Sequence, residues 1–284
     1  SIFISLLLTV VSIFNFSISM KSLIDKGDFA WHCHTGIYTY PIRIALEKKI
    51  PLIIWGEGSG EYEDYYHIDD LKSINERYIN RVVNLGINAE DMFLRFNGEI
   101  QRRDLLPYTY PTKSEMKNFE IKSICLGDYI QWDIKHHVEV LKKEIGWKGD
   151  VVENVPPQYD YEKIECYMQG VRDYIKYIKR GYSRATHLVS LDLRNERIEK
   201  EKAQELIKLY EGKRPATLDI FLNYVGLSEE QFNKVVASHI VKPNEHNFEN
   251  KNNSIKNPDH DTYDTSGKMD KNYAQRKFNE WFLE

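Results

Sequence analysis

Along most of this chain apolar residues recur at helical spacing, and in two places they run together instead. Ile134, Val138, Leu141 and Ile145 fall at i, i+4, i+7 and i+11, which predicts an amphipathic helix from residue 131. Ile164, Met168, Val171, Ile175 and Ile178 form a second stripe, closed by Gly181. Ile42, Leu46 and Ile50 place a helix over 36–50, and three more helices fall in 196–210, 217–226 and 228–239. Gly226 stops the second of these, and Ser228 with Gln231 has the spacing of a capping box at the start of the third. The first apolar run, LIIWGEG (52–58), follows Pro51 and reads as a buried strand opening into a loop; IKSICLGDYI (121–130) reads as a second strand and turn. Between the two runs, 61–100 reads as helical in pieces, and Thr112 or Ser114 is placed to cap a short helix. A helix feeding a buried strand predicts part of a parallel α/β sheet, with ligands beyond the strands' carboxyl ends, where Gly56, Glu57 and Gly58 would lie.

These elements divide the chain into four parts: an apolar segment 1–19 outside the fold, an α/β part 20–150, a helical part 151–240, and a polar, loose tail 241–284 carrying a last amphipathic turn at Phe278, Trp281 and Phe282. Residues 1–19 carry no charge, and their densest apolar run is short for a membrane span, so no stable membrane association is expected. They read either as a signal-like segment without its basic region or as a mis-joined reading frame, the latter favoured because the chain from Met20 onward looks cytoplasmic. A net charge of −4 argues against a general nucleic-acid binder. Three cysteines make no disulfide framework and suit a reducing compartment.

No phosphate-binding loop with a lysine occurs, and GEGSGE is acidic. GDFAWHCHTG (27–36) groups His32, Cys33 and His34; Ala30 removes the first cysteine of a haem-attachment pattern. Three readings stay open there: a metal site completed by Cys166 or Cys125, a Cys33 nucleophile with a base from elsewhere, or a structural turn with a buried thiol. Cys125 reads as a small core residue. Cys166 stands at a helix start, where the dipole favours a thiolate, or simply packs. RGYSRATH (180–187) sets Arg180, Arg184 and His187 around a glycine and hydroxyls, suited either to an anionic ligand or to a helix end with solvated basic residues.

Five stretches, in order, resemble one family: GDFAWHCHTGIYTYPIRIA, PLIIWGEGSGEY, SICLGDYIQWDIKHHVEVLKKEIGW, YDYEKIECYMQGVRDYIKYIKRGYSRATH and LDLRN. Over roughly residues 20–240 the chain is similar to the N-acetyl sugar amidotransferases, bacterial enzymes that make acetamidino groups on sugars of lipopolysaccharide O-antigens and related nonulosonic acids. The resemblance implies a PP-loop ATP pyrophosphatase with a Rossmann-like (adenine nucleotide alpha-hydrolase-like) parallel sheet, followed by a helical C-terminal region. It implies ATP with Mg²⁺ as co-substrate, a nucleotide-linked or free N-acetylated sugar as acceptor, and ammonia from glutaminase and cyclase-like subunits. Carried onto this sequence, Cys33, Cys166 and Glu57 would be catalytic, Gly56, Glu57 and Gly58 would hold the nucleotide, and Arg180, Arg184 and His187 the sugar. Cys33 and Cys166 would be two of the three cysteines that hold zinc or an iron–sulfur cluster in sulfur-transfer relatives, with Ala30 where the third is expected. They should then lie together at the sheet's carboxyl edge, with Cys125 elsewhere. The family's S-G-G-x-D-S loop does not occur in the sequence, so the expectation is an incomplete copy, inactive alone; the alternative is a non-catalytic remnant or a sugar- or partner-binding module.

Overall fold

The computed structural model describes residues 13–56, 75–84, 86–130, 133–164 and 166–249. Its first helix, α1 (Ile13–Lys26), runs straight through the boundary expected after residue 19. Ile18 is fully buried with Trp31, Met92, Phe96 and Leu105, so at least this end of the apolar segment belongs to the fold. The chain forms two compact units, residues 1–22 with 29–139 and residues 23–28 with 140–284. The second boundary falls inside α6 (Ile134–Ile145), not at residue 150. No proline or glycine linker marks it, which is why sequence composition did not.

In the first unit α2 spans Trp31–Lys48, so His32, Cys33 and His34 sit on a helix and not on an extended turn. Its buried face is Trp31, Thr35, Thr39, Ile42 and Ala45. Of the apolar stripe expected there, Ile42 is buried, whereas Ile50 lies beyond the helix and is exposed. The threonines replace it by hydrogen bonding. Thr35 donates to Asn84 Oδ1 (2.8 Å), and Thr39 lies within bonding distance of both the Thr35 and Pro107 carbonyls (2.8 and 2.6 Å).

Strand β1 (Leu52–Trp55) pairs in parallel with β2 (Lys122–Cys125), Leu52 opposite Lys122 and Trp55 opposite Cys125. The architecture is a mostly helical α/β fold with a small parallel sheet. The buried strand expected at 52–58 is half open: Ile53 and Trp55 face Ile42, Tyr78, Ile79 and Cys125, while Leu52 and Ile54 are 43% and 58% exposed. Alternation along a strand sends successive side chains to opposite faces, and α2 covers one of them. Between the strands lie α3 (Glu76–Tyr78), which runs into a wide turn Ile79–Val83, then α4 (Ala89–Arg95), a tight turn Arg102–Tyr108, and α5 (Lys113–Met116), capped by Thr112.

The second unit contains α7 (Gln169–Arg180), α8 (Arg184–Arg194), α9 (Lys200–Tyr210), α10 (Thr217–Val225) and α11 (Glu229–Ala237). The expected stripe on α7 is buried at Val171, Ile175 and Ile178, and Gly181 (φ +81°) ends the helix as expected; Ile164 and Met168 precede its first turn. Helix α8 packs on α9, and α7 on α10 and α11. The N-terminus of α10 is satisfied from a distance: Glu153 accepts from the Ala216 amide and from the Thr217 amide and hydroxyl. Gly170 lets α7 approach this cap, since a Cβ there would stand 2.6 Å from the Glu153 carboxylate. Of the tail, residues 241–249 are not loose but lie along α7; the turn at Phe278, Trp281 and Phe282 falls outside the described residues.

Candidate functional site

The parallel register brings the carboxyl ends of both strands side by side. Gly56 follows Trp55, and a tight turn Leu126–Asp128 follows Cys125. Gly56 is exposed, and a side chain added there would meet nothing within 4 Å among the described residues. Glu57 and Gly58 lie outside the described residues. Sequence reading passed over Gly127 and Asp128 at the same edge. The signal for them was present, because each strand is followed by a glycine and an acid, Gly56–Glu57 and Gly127–Asp128.

Cys33 is exposed on α2, with its Sγ 3.3 Å from His32 Nε2. The histidine beside the thiol is thus the preceding residue, whereas the expectation was a base from elsewhere in the chain. Tyr108 lies against Trp31 (ring centroids 5.7 Å apart), and burial, followed by the charge of Cys33, pushes its phenol up to about 12. Cys125 is buried in the core beside Ile42 and Trp55, as its sequence context suggests, but as the last residue of β2, opposite Trp55, it stands at the sheet's carboxyl end and not elsewhere. Cys166 stands in the turn before α7 and not within its first turn; its carbonyl accepts from the Gln169 amide (3.0 Å). Cys33 belongs to the first unit and Cys166 to the second. Among the described residues no three histidine, cysteine or acidic side chains converge to hold a metal ion.

The corner between α7 and α8 carries the basic motif, and the anions it meets are the protein's own. Arg184 donates to Glu162 Oε1 (2.8 Å), and its other nitrogens approach the two Asp173 oxygens at 3.4 and 3.5 Å. Both carboxylates are buried, and Gln169 donates to Asp173 as well (2.9 Å). The N-terminus of α8 is filled by Glu211, which accepts from the Ser183 hydroxyl and the Thr186 amide. His187 sits half-buried in the first turn of α8, and Arg180 is exposed at the end of α7. Position along the chain does not separate Arg180 from Arg184; burial does.

This second unit is also where kinship is visible. Residues 154–260 match the WbpG-like C-terminal domain. The family is described as LPS biosynthesis protein WbpG-like, C-terminal domain, and the matched stretch takes in α7 to α11, the Arg184 network and the segment lying along α7. It is consistent with the resemblance to N-acetyl sugar amidotransferases. No curated protein matches the chain. Among the described residues no helix is long and apolar enough to cross a membrane.

Proposed function

We propose that the protein serves an ATP-dependent sugar amidotransferase, converting an acetamido group to an acetamidino group on a sugar destined for lipopolysaccharide or a related surface glycan. The observation that carries this is the match of 154–260 to a WbpG-like domain. An amide carbonyl is a poor electrophile and needs a leaving group. In the proposed route the amide oxygen attacks the α-phosphorus of ATP and pyrophosphate leaves. Ammonia then adds to the activated carbon, AMP departs with the former amide oxygen, and nitrogen loses a proton. The route uses no thiol nucleophile, so Cys33 has no step in it.

In this reading β1 and β2 are part of a Rossmann-like sheet, and the nucleotide, with Mg²⁺, lies beyond their carboxyl ends at Gly56 and Gly127–Asp128. Arg180, exposed at the α7–α8 corner, meets an anionic part of the sugar substrate such as a diphosphate or uronate. Ammonia comes from glutaminase and cyclase-like partner subunits, so ammonium at high concentration replaces them in vitro. The test is AMP release by the chain joined to an S-G-G-x-D-S half and given ATP, Mg²⁺, ammonium and a nucleotide-linked N-acetyl sugar. AMP and amidino sugar are expected in equal amounts, and only with all components present. AMP formed equally well without sugar contradicts the proposal, and no AMP under any condition favours a binding module.

A further inference from the structure

Past α11 the chain returns along α7. Val241 donates its amide to the Lys179 carbonyl (2.9 Å), and Asn244 donates its side-chain amide to the Ile178 carbonyl (2.8 Å), so one short segment closes two carbonyls of the last turn of α7. The Asn244 side-chain oxygen lies 2.7 Å from where a Cβ on Gly181 would stand. Next along the segment, His246 enters an aromatic slot. Its ring stands roughly perpendicular to Tyr174, Tyr177 and Phe248, with centroids 6.4, 5.8 and 4.6 Å away. Its Nε2 is buried and has no hydrogen-bond partner among the described residues.

A neutral imidazole tolerates such a slot, whereas an imidazolium brings a full charge and two donors that need water or a carboxylate. Among the described residues, the titratable side chains in ring contact with it are Tyr174 and Tyr177 on α7, with Glu245 beside it in the chain. None of these supplies a counter-charge: the phenols are neutral, and Glu245 is exposed and paired with Lys242 (3.5 Å). The carboxylates that act on the two tyrosines are engaged elsewhere, Glu229 with Arg214 and Glu211 with the α8 N-terminus.

We propose that Val241–Glu249 is a pH-gated strap, closed on the C-terminal half of α7 while His246 is neutral and lifted when His246 takes up a proton. Opening uncovers the ring faces of Tyr174 and Tyr177 and the carbonyl end of α7. Burial holds the His246 imidazolium below its ordinary value of 6.5. A base depressed in the closed state favours closure above its open-state value, and that preference is lost as pH falls from 6.5 through the depressed value.

Amide hydrogen exchange and the imidazole titration of the full-length protein, followed by NMR from about pH 7.5 to about pH 5, test the strap across the histidine range. Protection of the Val241 amide, corrected for intrinsic exchange, should fall severalfold over this range, while the Leu206 amide in α9 stays protected. His246→Phe fills the slot without a charge and should make Val241 protection independent of pH. Asn244→Ala loosens closure without touching the ring, so reciprocity requires the His246 titration to move up toward its ordinary value. The proposal is overturned if wild-type protection does not change with pH, if His246→Phe keeps the wild-type profile, or if Asn244→Ala leaves the titration unmoved.

Discussion

Arg184 and Arg180 stand four positions apart, and their sequence contexts suit an anion equally well. The fold gives them different work. Arg184 neutralises Glu162 and Asp173, residues 22 and 11 positions away that no local pattern connects to it. Its removal takes the counter-charge from two buried carboxylates, so Arg184→Ala should cost about 3–5 kcal/mol of stability, read as a lower denaturant midpoint. Arg180→Ala, at an exposed position, should leave stability within about 0.5 kcal/mol and weaken binding of the N-acetyl sugar nucleotide in calorimetry. Unchanged stability of Arg184→Ala would show that the network is not structural, and unchanged sugar binding by Arg180→Ala would remove that residue from the site.

At the level of elements, what was legible was local. The cap at Thr112, one of two candidates there, the capping box at Ser228 and the glycine stops at Gly181 and Gly226 rest on contacts within a few residues, and each appears among the positions the sequence offers. The buried face of α2 was not legible, because a periodicity that counts apolar side chains is blind to Thr35 and Thr39. That face makes a distinct expectation. Thr35→Val keeps the shape but leaves the buried Asn84 Oδ1 without the Thr35 donor, and should cost about 1–3 kcal/mol in chemical unfolding despite being more apolar. A gain in stability would mean that the hydroxyl contributes nothing. The pairing of β1 with β2 was equally hidden, since which strands meet is decided by the intervening helices and turns.

For the whole molecule, each unit carries a tyrosine that should govern its behaviour in alkali. Burial pushes Tyr108 in the first unit and Tyr174 in the second up to about 12 from an ordinary value of 10.0. A phenol raised in the folded state stabilises fully below the unfolded value and loses that stabilisation as pH rises through the folded one. Stability should therefore decline as pH rises from 10.0, and the double change Tyr108→Phe with Tyr174→Phe should lessen the decline followed by circular dichroism, the remainder falling to Tyr110, Tyr159, Tyr177 and Tyr224, which burial also raises. A decline as steep in the double variant as in the wild type would mean that these two phenols contribute nothing to it. The function proposed for the molecule rests on an activated amide, and one measurement reaches it directly. An N-acetyl sugar nucleotide labelled with heavy oxygen in its acetamido carbonyl is turned over with ATP and ammonium, and the AMP is weighed by mass spectrometry. The proposed chemistry requires the label in the AMP phosphate; AMP formed without label, beside an amidino sugar, would contradict it.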